Sequence, residues 1–147
     1  MQNFKESFWF PLIISFIIAI AGIAVLGWQY HRISQEEIFS LKQNIEENSA
    51  KELVNKFMQY RIDENGNQAM IYLTENAMEQ KNQGQFVLID NFKSFKIEKT
   101  EKLSETAYQF TVMIQKENGI NNFIEIITVS KNLDLNEYYI DSVQIAS

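Results

Sequence analysis

The sequence predicts an α+β fold carried on an apolar helix, and three observations predict it. Residues 8–28 contain no charged side chain. From Ser34 to about Gly84, apolar residues recur at helical spacing. Beyond Gly84 the apolar period falls to two, the signature of half-buried strands. Helices followed by a run of strands is the order of an α+β domain rather than of alternating βαβ units.

The first element is the stretch from Phe8 to Trp28. At about 1.5 Å per residue it spans roughly 30 Å, the thickness of a bilayer's hydrocarbon core. Trp9 lies near one end, with Trp28 and Tyr30 at the other, as amphipathic rings do at the two membrane interfaces. Lys5 and Arg32 flank it. Pro11 falls in the first turn, where its missing N–H costs little. Ala19-Ile20-Ala21 imitates a signal-peptide cleavage site. However, the apolar run continues through Ile23, Val25 and Leu26, longer than a cleavable core needs, so the segment reads as a retained anchor. Residues 1–7 then form a short tail, 8–28 a transmembrane helix, 29–48 a juxtamembrane stalk and 49–147 the domain. The domain is expected on the extracytoplasmic side, because short tails before a single anchor commonly stay inside. Lys5 against Arg32 and Lys42 favours the reverse by the positive-inside rule.

In the stalk, Ser34 and Glu37 have the spacing of a capping box, predicting a helix start. Ile38, Leu41 and Ile45 follow at heptad-like spacing. The stripe breaks at Asn48-Ser49 and restarts in a new phase, with Ala50, Leu53, Val54, Phe57 and then Tyr60 or Arg61. The two stripes are two helices or one helix with a phase slip. Asp63–Asn67, "DENGN", ends the helix, with Gly66 expected as its left-handed cap. Helical spacing resumes over residues 68–80, with Thr74 able to start a separate short helix, and Gly84 closes the region.

Four strands follow. "FKSFKIEK" alternates Phe95 and Ile97 with charges, and "AYQFTVMIQ" alternates Tyr108, Phe110, Val112 and Ile114. "NNFIEIITVS" is apolar on both faces, which predicts a strand inside the sheet or in an interface. "EYYIDSVQIA" is the last. Asn118-Gly119 predicts a tight hairpin turn between the second and third strands, and Asn132–Asn136 another turn.

Composition removes whole classes of function. There is no cysteine, so disulfides, thiol nucleophiles and thiolate metal sites are excluded. The one histidine, His31, lies outside the domain, leaving it without histidine triads or multi-histidine metal sites. The net charge is −6 and no basic cluster occurs, which disfavours nucleic acid. No cofactor and no metal are expected.

The segments "AKELVNKFMQYRIDENGNQAMIYLTENAM", "FKSFKI", "AYQFTVMI", "FIEIITV" and "YYIDSVQIA" together resemble the nuclear-transport-factor-two-like fold. The resemblance covers roughly residues 49–146. It implies a cystatin-like cone: N-terminal helices packed on a curved antiparallel sheet of about four strands. With the anchor added, the layout is similar to single-pass inner-membrane assembly proteins of bacterial type IV secretion and conjugation machines, which implies an exported interaction domain.

A cone can also hold a pocket. Members of this fold that are enzymes use buried acids or tyrosines tuned by an apolar site. The pocket candidates are Tyr60, Tyr72, Tyr108 and Glu125, with Asp141 and the Tyr138-Tyr139 pair behind them. Glu125 sits mid-strand between Ile124 and Ile126. Acids are seldom buried unpaired, so it is expected on a solvent face or at an edge. No two acids have a spacing that demands catalysis. The favoured function is therefore a membrane-anchored, non-catalytic interaction or assembly module. The alternative is a small apolar ligand held in the cone, or, further off, an isomerase- or hydrolase-like enzyme. Candidate contact residues are Ile38, Leu41 and Ile45 on the stalk and Phe123 and Ile127 on the two-sided strand. Trp9, Trp28, Tyr30 and Arg32 are assigned to the membrane interface. The expected partners are the lipid bilayer and a protein, either another chain or a second copy. Ser15, Ala19 and Gly22 share one helix face and would permit close approach of two anchors.

Overall fold

The structure is a computed structural model that describes residues 6–117 and 122–146, with residues 6–13 and 17 described by backbone alone. The chain divides into two compact units, Met1–Asn44 and Ile45–Ser147. The element order is α+β: α1 (Glu6–Ile62), α2 (Gly66–Met70), α3 (Glu75–Asn82), then β1 (Phe92–Lys102), β2 (Ala107–Lys116), β3 (Asn122–Asn132) and β4 (Glu137–Ile145).

The first unit is helical throughout its described residues. It is long and apolar enough to cross a membrane, and none of that apolar window is buried. Trp28 and Tyr30 are exposed, and Arg32 pairs with Glu36 one turn on, at 3.1 Å. Trp9 falls among the residues described by backbone alone.

Helix α1 does not start at Ser34. The preceding residues are already helical, so there are no free N–H groups for a capping box to satisfy. Nor does it break at Asn48-Ser49. The Ser49 hydroxyl donates to the Ile45 carbonyl at 2.9 Å, and Ser40 does the same to Glu37 at 2.9 Å. Such back-bonding absorbs a polar residue within a helix without ending it.

The second unit begins at Ile45. Glu46 already belongs to it, since Lys131 on β3 donates to its carboxylate at 3.4 Å. From here one face of α1 is buried: Ala50, Leu53, Val54, Phe57, Met58 and Arg61. The helix ends in a Schellman turn. The Asn65 N–H bonds to the Tyr60 carbonyl at 2.8 Å, and the left-handed residue is Glu64, at φ 54°. Gly66 is therefore not the cap that its type suggests. Asn65 turns at once to cap α2, accepting from the Gln68 N–H, which makes Gly66 the first residue of the next helix. Its missing side chain serves packing instead: a Cβ there would lie 3.0 Å from Ile89 Cδ1. Gly84, at φ 75°, does take the left-handed position after α3.

The sheet is a four-stranded antiparallel meander in the order β1-β2-β3-β4. Irregularities at Phe92/Ser94, Ile97/Lys99 and Thr128/Val129 bend it, as extra residues in one strand do. Tyr108, Phe110, Val112 and Ile114 on β2, and Ile127 and Val129 on β3, alternate onto the face that packs against α1. The β4 edge is covered, because Leu73 makes a parallel bridge to Ile140 and Thr74 N–H bonds to the Ile140 carbonyl at 2.9 Å. The β1 edge is left open and carries charges and both of its own irregularities, two devices that discourage edge pairing. The turn read at Asn118-Gly119 lies outside the described residues.

Candidate functional site

Two polar groups interrupt the core of the second unit, at opposite ends of the sheet's inner face. The first is built on Arg61 and Glu125. Arg61 lies one turn beyond Phe57 on the buried stripe of α1, so the helix delivers it to the interior. Glu125 points inward because alternation along β3 puts it on the face shared by Ile127 and Val129. Their side chains are 0% and 1% exposed. They meet as a bidentate pair, Nη1 to Oε2 at 2.5 Å and Nη2 to Oε1 at 2.9 Å. Glu125 is thus neither at solvent nor at an edge, which corrects the sequence expectation. The rule that acids are seldom buried unpaired still holds, because the pairing is what permits the burial.

Arg61 has five N–H donors, and each has an acceptor. Besides Glu125, Nε donates to the Leu88 carbonyl at 3.2 Å and Nη2 to the Val87 carbonyl at 2.7 Å. The remaining Nη1 hydrogen faces Met58 Sδ at 3.2 Å. The guanidinium also lies 5.2 Å from the Phe57 ring and 4.7 Å from that of Phe92. Four parts of the chain converge on one cation: α1 itself, through Phe57 and Met58, residues 87–88, β1 and β3. Such a group holds the loop before β1 onto the helix. It has no free donor to offer a substrate.

The second polar group is a pair of tyrosines, Tyr108 on β2 and Tyr138 on β4. Their rings meet edge to face with centroids 6.0 Å apart. Both hydroxyls are buried with no protein partner. Burial pushes the Tyr138 hydroxyl up to about 12, helped by the negative field of Glu46 and then by Tyr108. Tyr108 is raised too, by burial first and then by Glu46 and Glu47. Two lysines lie against these rings: Lys131 is 5.6 Å from Tyr138 and Lys102 5.8 Å from Tyr108. Lys131 also pairs with Glu46, so this end of the inner face has its own cations in place.

The four pocket candidates are not brought together. Tyr108 pairs across the sheet with Val129 and Glu125 with Val112, which puts them four residues apart along β2, roughly 13 Å at the strand rise. Tyr60 and Tyr72 stack on each other with centroids 5.9 Å apart. Burial raises the Tyr72 hydroxyl, and Tyr60 adds to the shift. Asp141 accepts from the Thr74 hydroxyl at 3.1 Å, where Thr74 also caps α3, so it fastens that helix to β4. Of the strand residues offered to a partner, Ile127 is fully buried and Phe123 packs on the core beside Phe92. Ile127 is therefore closed off from the surface, whereas Phe123 is half-buried. The outward face of β3 carries Ile124, which is exposed, and Ile126, which is half-buried. On α1, by contrast, Ile38, Leu41 and Ile45 are all exposed. Sequence reasoning missed Arg61 as a site residue, although the signal was its place on the buried stripe.

Among the described residues no cluster of three metal-ligating side chains occurs. An open groove of about 340 Å³ lies beside α3, lined by Leu73, Thr74, Glu75, Met78, Glu79 and Asn82. No protein family, characterised protein or solved structure matches the chain.

Proposed function

We propose that the chain is a membrane-anchored, non-catalytic interaction module, with a nuclear-transport-factor-two-like domain held on the extracytoplasmic side by a single span. One observation carries this reading. Helix α1 exposes large apolar side chains not only in its charge-free segment, from Ile14 to Trp28, but past it, at Ile33, Ile38, Phe39, Leu41 and Ile45. The first set has the length and composition of a bilayer span. The second lies beyond that length and calls for a protein surface. The order of helices before a curved meander supports the fold reading, and the full engagement of Arg61 and Glu125 within the core supports a domain that binds rather than reacts.

The anchor is tested by alkaline carbonate treatment of membranes. The protein stays with the pellet; release of a soluble species starting near Gly22 overturns the reading in favour of a cleaved signal. The interaction role is tested by isolating the detergent-extracted full-length protein and identifying what accompanies it. A second reading, a small apolar ligand within the cone, is favoured by the unpartnered hydroxyls of Tyr108 and Tyr138. A ligand that quenches the fluorescence of these tyrosines at stoichiometric concentration would carry it.

A further inference from the structure

The apolar stripe past the span names its own partner, and this inference rests on the anchored-module reading above. Ile38, Leu41 and Ile45 are spaced three and then four residues apart on α1, so they form one seam along the helix. They are 56%, 60% and 65% exposed. In heptad terms Ile38 and Ile45 take a positions and Leu41 takes d. A β-branched residue at a with Leu at d is the combination that selects two parallel strands.

The seam fixes the flanking positions. Glu37 becomes g and Lys42 becomes e. In a parallel, in-register pair, a g residue faces the e residue five positions on in the other helix. Glu37 of each copy therefore faces Lys42 of the other, and two-fold symmetry makes the pair twice. Five residues apart on one helix, the two do not face each other within a chain, and among the described residues neither makes an ion pair. An antiparallel arrangement loses this match, and anchoring both copies in one bilayer excludes it. We propose that a second copy of this chain covers the seam, as a parallel two-stranded coiled coil in register at Leu41, with Glu37 and Lys42 paired across it.

The seam is short, ending at d-position Ser34 on one side and Asn48 on the other. A helix pair of this length is marginal in free solution. Confinement of both copies to one membrane raises their effective concentration and supplies what the seam lacks.

The test uses the full-length protein in membranes, where the absence of cysteine gives a clean background. Leu41→Cys forms a disulfide dimer several-fold more readily than Gln43→Cys, which lies on the opposite side of the helix. In the Leu41→Cys background, Glu37→Lys and Lys42→Glu each lower the dimer several-fold, and the double reversal restores it. Co-expressed single reversals form the mixed dimer in excess of the half that random pairing gives. A change confined to one helix does not produce that excess. Native mass spectrometry of the extracted protein gives two copies. Equal cross-linking at Leu41 and Gln43, random mixing of the reversals, or a mass of three or more copies overturns the proposal. Retention in the carbonate pellet together with any of these results leaves the anchored-module reading intact, whereas loss from the pellet removes that reading first.

Discussion

The two ends of the inner sheet face bury polar groups under opposite terms. At one end a full positive and a full negative charge are enclosed, and every donor of the cation has an acceptor. At the other, two neutral hydroxyls are enclosed with no partner at all. The difference follows from the size of the desolvation penalty. An unpaired buried ion costs several kcal/mol or more, so the fold has to answer it with geometry. An unpaired hydroxyl costs about 1–3 kcal/mol, which the ring burial of a tyrosine offsets. The charged end is thus a place where the fold is specified, and the tyrosine end a place where it tolerates a cost.

That contrast is broken most directly at the charged end. In the second unit, Ile45–Ser147, which carries its own core and is expected to fold alone, Glu125→Ala leaves Arg61 buried without a counter-charge. The expected loss is about 3–5 kcal/mol in urea unfolding. The double replacement Arg61→Met with Glu125→Leu costs less than either single change, because no charge is left uncompensated. Should the double variant lose the sum of the singles, the two residues act independently and the pairing is not what permits their burial. Phe57→Ala removes a fully buried ring and one wall of the guanidinium site, for about 3–5 kcal/mol.

The tyrosine end is probed by pH. The Tyr138 hydroxyl is held up to about 12 in the folded state, against an ordinary value of 10.0. The folded state therefore keeps a proton that the unfolded state releases. Stability is unaffected below pH 10 and falls as pH rises from 10 toward 12. Unfolding followed across that window shows a steeper loss in the parent than in Tyr138→Phe. Equal slopes would mean that this hydroxyl reaches water or a partner when folded.

Smaller again is the effect of deleting the hydroxyls outright. Tyr108→Phe and Tyr138→Phe remove an unsatisfied group and keep the ring. Each is expected to be neutral or to stabilise by about 1 kcal/mol. A loss of that size at either site would reveal a hydrogen bond, direct or through water, and would make the two ends of the face alike.

The order of elements was legible because it rests on period, which a sequence displays directly. So was the buried stripe of α1 as far as Phe57, with Tyr60 or Arg61 left open as its last member. The charged centre itself was half legible. An arginine on an apolar helical stripe and a glutamate between two isoleucines are each anomalies, and two opposite anomalies in packed elements invite pairing. What alternation cannot decide is which face of a two-sided strand is inner. Ile124 and Ile126 compete with Phe123, Glu125 and Ile127, and the apolar count alone favours neither. Cross-strand register with Val112 and Ile114 settles it. The separation of Tyr108 from Glu125 was hidden for the same reason, since both obey alternation and only the register sets the distance between them. The continuity of α1 was obscured by side chains that bond back to their own helix, a contact that reads in sequence as a break.

The smallest effect concerns the turn that follows Arg61, and it tests how far the charged end depends on the backbone that delivers it. Glu64 takes a left-handed conformation three residues after Arg61, and nothing about a glutamate favours it. The turn is held by the Asn65 N–H on the Tyr60 carbonyl and by Asn65 capping the next helix, so the strain is imposed by both neighbours. Glu64→Gly relieves it at a position already shaped for glycine. A freer unfolded chain works against that gain. The net expectation is a stabilisation of a few tenths of a kcal/mol, up to about 1. Glu64→Ala keeps a Cβ and gains nothing. Exchange of the Arg61 guanidinium protons with solvent slows in the glycine variant if the turn limits the opening of the Arg61–Glu125 pair. Unchanged exchange would show instead that the pair is held by the sheet and the 87–88 carbonyls alone, with the helix end a passive bystander.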